Sequence, residues 1–149
     1  LDNGRSLHNV GSVLRSCDAF RVEAVYLCGI TATPPSSEIH KTALGAEDSV
    51  TWKYFAETTD AVDELHAHAT KVLAVEQVAG STMLQNLQTN EGQRYAVVLG
   101  NEVKGVQQAV VDCCDGCLEI PQFGTKHSLN VSVAAGIVVW EFAKKIGNK

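Results

Sequence analysis

Three stretches of the chain combine reactive residue types with a spacing that would bring them to bear. The first is Asn9-Val10-Gly11-Ser12-Val13-Leu14-Arg15. With Val10, Val13, Leu14 and Cys17 turned inward on the helical period, Arg15 points outward, one turn beyond Gly11. A guanidinium beside a residue with no side chain leaves room for a ligand to approach the backbone. Taken singly, Arg15 also reads as a solvated surface arginine and Asn9 as a helix cap.

The second stretch, Leu99-Gly100-Asn101-Glu102-Val103-Lys104-Gly105-Val106, follows an expected strand and precedes an expected helix. That is where α/β proteins bind ligands, at the carboxyl ends of strands. Gly100 and Gly105 have the spacing of a phosphate loop, but Val106 and Gln107 stand where that loop needs Lys and then Ser or Thr, which argues against a Walker-type site. With no G-x-G-x-x-G, the Rossmann fingerprint is missing too. The plain alternative is a tight glycine turn, against which stands the acidic Glu102 between the glycines.

The third stretch runs from Glu119-Ile120-Pro121 through Gly124 to Ser128-Leu129-Asn130-Val131-Ser132. A strand ends at Pro121, a loop turns at Gly124, and polar residues open a helix. Ser128 reads as a cap; Asn130, expected in the first turn of an apolar helix, would need partners for a buried amide.

Other constellations are weaker. Cys113-Cys114-Asp115-Gly116-Cys117 invites a metal, but zinc needs four ligands and no second paired set exists. His66 and His68 diverge on a helix. No nucleophile elbow supports a hydrolase built on Ser128. No metal is expected.

Continuous apolar runs at 24–28, 71–75, 95–99 and 117–120 read as strands covered on both faces. Helical stripes lie between them, at 10–20, 59–69 and 107–113. Segment 128–146 is apolar almost all round over its first three turns, as for a helix buried on several sides, one of them against another subunit. Pro34-Pro35-Ser36-Ser37 marks a surface loop. This alternation predicts an α/β domain with a mainly parallel sheet and helices on both faces.

At 149 residues, 45% of them apolar and 19% charged, the chain suits one domain with a packed core. The longest near-apolar run, 131–140, is short of the ~20 residues of a membrane helix, and no secretory leader opens the chain. It begins at Leu1, so an upstream N-terminal strand or extension is expected. Five cysteines, an odd number, point to reduced thiols and a cytoplasmic protein. With a formal net charge of −5, a polyanion must be met by a local basic cluster, a second subunit or an extension.

Together, Asn9-x-Gly11-x-x-x-Arg15, Leu99-Gly100-Asn101-Glu102-x-x-Gly105-Val106 and Ile120-Pro121-x-x-Gly124-x-x-x-Ser128-Leu129-Asn130-Val131-Ser132-x-Ala134 resemble the three motifs of the SpoU/TrmH-type RNA 2′-O-ribose methyltransferases of the SPOUT class, in that family's order. The resemblance implies an α/β fold with a C-terminal deep trefoil knot, a homodimer, and a catalytic domain over residues 1–149. It also implies that S-adenosylmethionine is bound by Leu99, Gly100, Asn101, Glu102, Gly105, Ile120, Pro121, Gly124, Ser128, Leu129 and Ala134.

The implied reaction moves a methyl group to a ribose 2′-hydroxyl of tRNA or rRNA. Arg15 is implied as the central catalytic residue. A guanidinium hardly ever loses its proton, so it is expected to orient the ribose or a phosphate and stabilise charge, leaving an adjacent phosphate or water to accept the proton. Asn9 is expected to hold Arg15, Glu102 to orient Arg15 or loop backbone, and Ser128 and Asn130 to position the ribose. In the dimer, Arg15 of one chain is expected to serve the cofactor of the other. Expected RNA contacts are Arg5, Arg15, Lys41, Lys104, Lys126 and His127. Arg21 departs from the glycine that usually follows the first helix in this family. The alternative function is an inactive RNA-binding module that keeps the fold.

Overall fold

The computed structural model describes residues 1–125 and 128–147. Helix α1 (Leu7–Ala19) starts where the Ser6 side chain accepts the Asn9 N–H, so Ser6, not Asn9, is the cap. Strand β1 (Ala24–Cys28), helix α2 (Ser37–Ala43) and strand β2 (Thr51–Phe55) follow. Then come α3 (Thr58–Ala67), β3 (Thr70–Val75), the short β4 (Thr82–Met83), β5 (Arg94–Val98), α4 (Gln108–Cys113), β6 (Gly116–Glu119) and α5 (Val131–Ile146).

Among the described residues all strand pairings are parallel, but they form two sheets: β1-β2 and β4-β6-β3-β5. This corrects the expectation of one sheet. Residues 1–3 stand between the two. Cys28 N donates to the Leu1 carbonyl at 3.0 Å, while Asp2 N donates to the Leu99 carbonyl at 2.8 Å.

Side chains alternate across β3 and β5, and both faces are covered. Val72, Ala74 and Val98 pack with Val62 of α3 and Val110 of α4. On the opposite face, Leu73 and Leu118 pack with Val138 and Phe142 of α5, and with Leu84 and Leu87. A third cluster joins the inner stripe of α1 (Val10, Val13, Leu14, Cys17) to Leu27, Ile39 of α2, and Ala134 and Ala135. Each large side chain buried here contributes about 1.5–3 kcal/mol.

Gly11 serves that packing. A Cβ there would collide with Thr42 Oγ1 and the Ile39 carbonyl oxygen, so the missing side chain admits helix α2 and not a ligand, contrary to the sequence expectation. Helix α5 begins at Val131, three residues later than expected. Asn130 is its cap, its side-chain oxygen accepting the N–H groups of Ser132 and Val133. Asn130 is also exposed, not buried, so its amide is satisfied by the helix end and by solvent. Among the described residues no helix is long and apolar enough to cross a membrane.

Candidate active site

The carboxyl ends of β3, β5 and β6 open on one side of the larger sheet, and the connections leaving them enclose a cleft of about 270 Å³. Leaving β5, the chain folds into a closed loop. Asn101 and Gly105 exchange backbone hydrogen bonds at 2.9 Å in each direction. The buried Asn101 side chain holds the loop on both sides: Oδ1 accepts Val103 N–H at 2.8 Å and Lys104 N–H at 3.0 Å, and Nδ2 donates to the Asn3 carbonyl at 2.9 Å. Gly100 is required by this fold-back, since a Cβ there would run into the Gly105 carbonyl and Val106 N.

Glu102 fixes where the loop stands. Its two carboxylate oxygens both accept Arg5 N–H at 3.0 Å, and Oε2 also accepts Ser6 N–H at 3.1 Å. A carboxylate therefore sits at the start of α1, where it also meets the positive end of the helix dipole. Glu102, expected to orient Arg15 or loop backbone, holds the backbone N–H groups of Arg5 and Ser6 ahead of α1, and among the described residues no hydrogen bond joins it to Arg15. Neither is there one between Asn9 and Arg15 among the described residues. Arg15 lies on the exposed face of α1.

Of the eleven residues expected at a cofactor, nine line this one cleft: Leu99, Gly100, Asn101, Glu102, Gly105, Ile120, Ser128, Leu129 and Ala134. Pro121 and Gly124 do not line it, and nor do Asn9, Arg15 and Asn130. Lys104 lines the cleft and Arg5 borders it through Glu102. Lys41 is on α2, paired with Glu38 at 2.8 Å. Lys126 and His127 lie outside the described residues.

Several residues of the site had no expectation attached to them. Glu76, just beyond β3, and Glu119, at the end of β6, also line the cleft. Glu119 accepts the Ser81 hydroxyl at 2.8 Å. Asp2, wholly buried, accepts from Thr58 Oγ1 at 2.7 Å, from Gln107 N at 2.8 Å and from Gln107 Nε2 at 2.7 Å. It thereby braces the far end of the loop. A sequence signal existed for Glu76, which directly follows the apolar run 72–75, and for Glu119, which lies within the run 117–120, since a carboxylate is rarely buried without partners; Asp2, between Leu1 and Asn3, carried none.

The cysteines stand apart from this chemistry. Burial pushes the Cys17 thiol up to about 11 and the Cys114 thiol up to about 12, so both stay protonated at neutral pH and are poor nucleophiles and ligands. Among the described residues no group of three or more His, Cys, Asp or Glu is placed to hold a metal.

Residues 1–140 match the SpoU rRNA Methylase family model. The chain is 34% identical over 141 residues to the 23S rRNA (guanosine-2'-O-)-methyltransferase RlmB of Nitrosomonas europaea, a span of 95% of this chain and 53% of that protein. Its fold is similar to that of the AdoMet-bound rRNA methyltransferase of Sinorhizobium meliloti, with a TM-score of 0.91 and 26% identity, covering 99% of this chain and 56% of the other. It is similar also to the TrmH/SpoU tRNA modifying enzyme of A. aeolicus, with a TM-score of 0.85 and 25% identity, covering 97% and 72%. The chain spans about half the length of the curated relatives it matches.

Proposed function

The chain belongs to the SpoU rRNA Methylase family, and from that premise we propose that it transfers a methyl group from S-adenosylmethionine to a ribose 2′-hydroxyl of transfer or ribosomal RNA. In this reading residues 1–149 form the catalytic domain, working as a cytoplasmic homodimer, with the C-terminal part tied into a trefoil knot. The observation that carries the reading is the convergence of the second and third motifs on one cleft, which Glu102 ties to the helix bearing Arg15.

The cleft suits the cofactor chemically. Leu99, Ile120, Leu129 and Ala134 supply apolar walls for an adenine ring, beside the loop that Gly100 and Gly105 allow to fold back on itself. Glu102 and Glu119 supply negative charge for a cation. When bound, S-adenosylmethionine supplies an electrophilic methyl group on a positively charged sulfur.

The protein's own residues position and stabilise. Glu102 holds the loop against α1, and Asn101 and Asp2 keep it closed. Ser128, at the cleft, orients the ribose; Asn130 fixes the start of α5 behind it. The guanidinium of Arg15 grips the ribose or its phosphate in a fixed orientation and stabilises the oxygen as it becomes negative. The hydroxyl proton leaves to an adjacent phosphate or a water. In the proposed homodimer Arg15, which does not line the cleft of its own chain, serves the cleft of the second subunit. Arg5 and Lys104 hold RNA phosphates beside it.

Titration calorimetry with S-adenosylmethionine and a methyl-transfer assay on total tRNA and rRNA test the reading together. Arg15→Ala is expected to abolish transfer and leave cofactor affinity within about threefold, because a residue outside the cofactor cleft contributes to orientation and charge stabilisation. Unchanged turnover removes Arg15 from the mechanism. Absence of any cofactor binding by the wild type supports the inactive RNA-binding module instead.

A further inference from the structure

Glu76 lies outside all three motifs, yet it is the residue against which the second loop is moulded. Its backbone N–H donates to the Leu118 carbonyl at 3.0 Å, which fixes the residue one step past the β3–β6 register. From there the carboxylate reaches across to the loop that leaves β5. Oε2 accepts the Val106 N–H at 2.9 Å. The same carboxylate fills the space over Gly105 that a side chain would need: a Cβ there would stand 2.6 Å from Oε2, 3.4 Å from Cδ and 3.5 Å from Oε1. Gly105 is in the left-handed region at φ +72°, a second reason for glycine at this corner.

Resting on the cofactor reading above, we propose that Glu76 is a positioning residue that sets the Gly105–Val106 corner of the cleft, acting through the Val106 amide and by contact with Gly105. Two strands then define the loop that holds the cofactor: β5 supplies it and β3 fixes its far corner. Without Glu76 the Val106 amide loses its acceptor and Gly105 loses the wall behind it. The loop can still close through Asn101, but its return limb moves. A carboxylate is not essential for this, since a glutamine carbonyl oxygen in the same place accepts the same N–H.

The test is a double-mutant cycle read by calorimetric affinity for S-adenosylmethionine, with hydrogen exchange at the Val106 amide as a second readout. Glu76→Ala is expected to weaken binding about tenfold and to remove protection at Val106, as for loss of one hydrogen bond and its packing. Glu76→Gln restores affinity to within about threefold and restores protection. Gly105→Ala weakens binding in the wild type, and by a smaller factor in Glu76→Ala, where the colliding carboxylate is gone. Full additivity, wild-type affinity in Glu76→Ala, or failure of Glu76→Gln to rescue would each overturn the proposal. If the wild type binds no cofactor, the cofactor reading fails on its own, and Val106 protection still decides whether Glu76 holds the corner.

Discussion

Replacing Glu102 by alanine should separate the loop after β5 from the start of α1. The two N–H groups that lose their acceptor, on Arg5 and Ser6, lie at 3.0–3.1 Å from the carboxylate. A hydrogen bond to a charged group is worth about 1.5–3 kcal/mol. The Arg5 amide is exposed and regains water, so most of the loss comes from the part-buried Ser6 amide. The expected cost is about 1–2 kcal/mol. With a urea slope of about 2 kcal/mol per M, the unfolding midpoint falls by about 0.5–1 M at unchanged slope. Glu102→Gln keeps one acceptor oxygen and should lose about half as much. The assay is urea unfolding of the three proteins followed by fluorescence of Trp52 and Trp140. An unchanged midpoint in Glu102→Ala refutes the inference that this carboxylate joins loop to helix, as does a glutamine variant as weak as the alanine one.

Two further outcomes are expected. Val133, Ile137 and Trp140 stand 49%, 39% and 50% exposed along one stripe of α5, so Ile137→Glu, which buries a charge if two copies meet there, should weaken a dimer by about 3–5 kcal/mol. Sedimentation of a dimeric wild type and a monomeric variant would support this; a wild type that is monomeric at micromolar concentration would not. The Asp115 carboxyl is held below its ordinary value, first by the Val72 N–H at 2.7 Å and then by His66 at 2.8 Å. A depressed carboxyl stabilises the fold above its unfolded value and loses that contribution as pH falls through its folded value. Asp115→Asn should therefore be less stable than the wild type at neutral pH, with the gap closing below about pH 4, near the ordinary aspartate value; a gap constant down to pH 2 contradicts this.

Strands with continuous apolar runs were readable in the sequence because β1, β3, β5 and β6 all contribute to the buried clusters, and the helices with long stripes were readable for the same reason. Strand β2 was not, because its two half-buried residues, Trp52 and Phe55, are three apart with exposed Lys53 and Tyr54 between them, which matches neither a continuous apolar run nor a two-residue alternation. Helix α2 was masked by its seven-residue length and by a start, Ser36, that also reads as loop. In the site, the loop after β5 was legible because its glycines and Asn101 are needed by its own closure. The clamps were not. Glu102 to Arg5, Asp2 to Gln107 and Glu76 to Val106 are side chain-to-backbone bonds between distant stretches, and a backbone acceptor or donor has no residue type to recognise. The misread Gly11 has a related origin: a glycine that admits a neighbouring helix and one that admits a ligand look alike until the neighbour is placed.

The clamps at the cleft also bear on how the chain folds. Arg5 meets Glu102 across 97 positions, Asn3 meets Asn101 across 98, and Asp2 meets Gln107 across 105. Closing segments of that length costs entropy before any of these bonds forms to offset it, and such non-local pairing slows folding. The pair α1 and α2, by contrast, needs only a short excursion through β1. The rim of the cleft is thus expected to close late in folding, after the stretch around residues 101–107 has met residues 2–6.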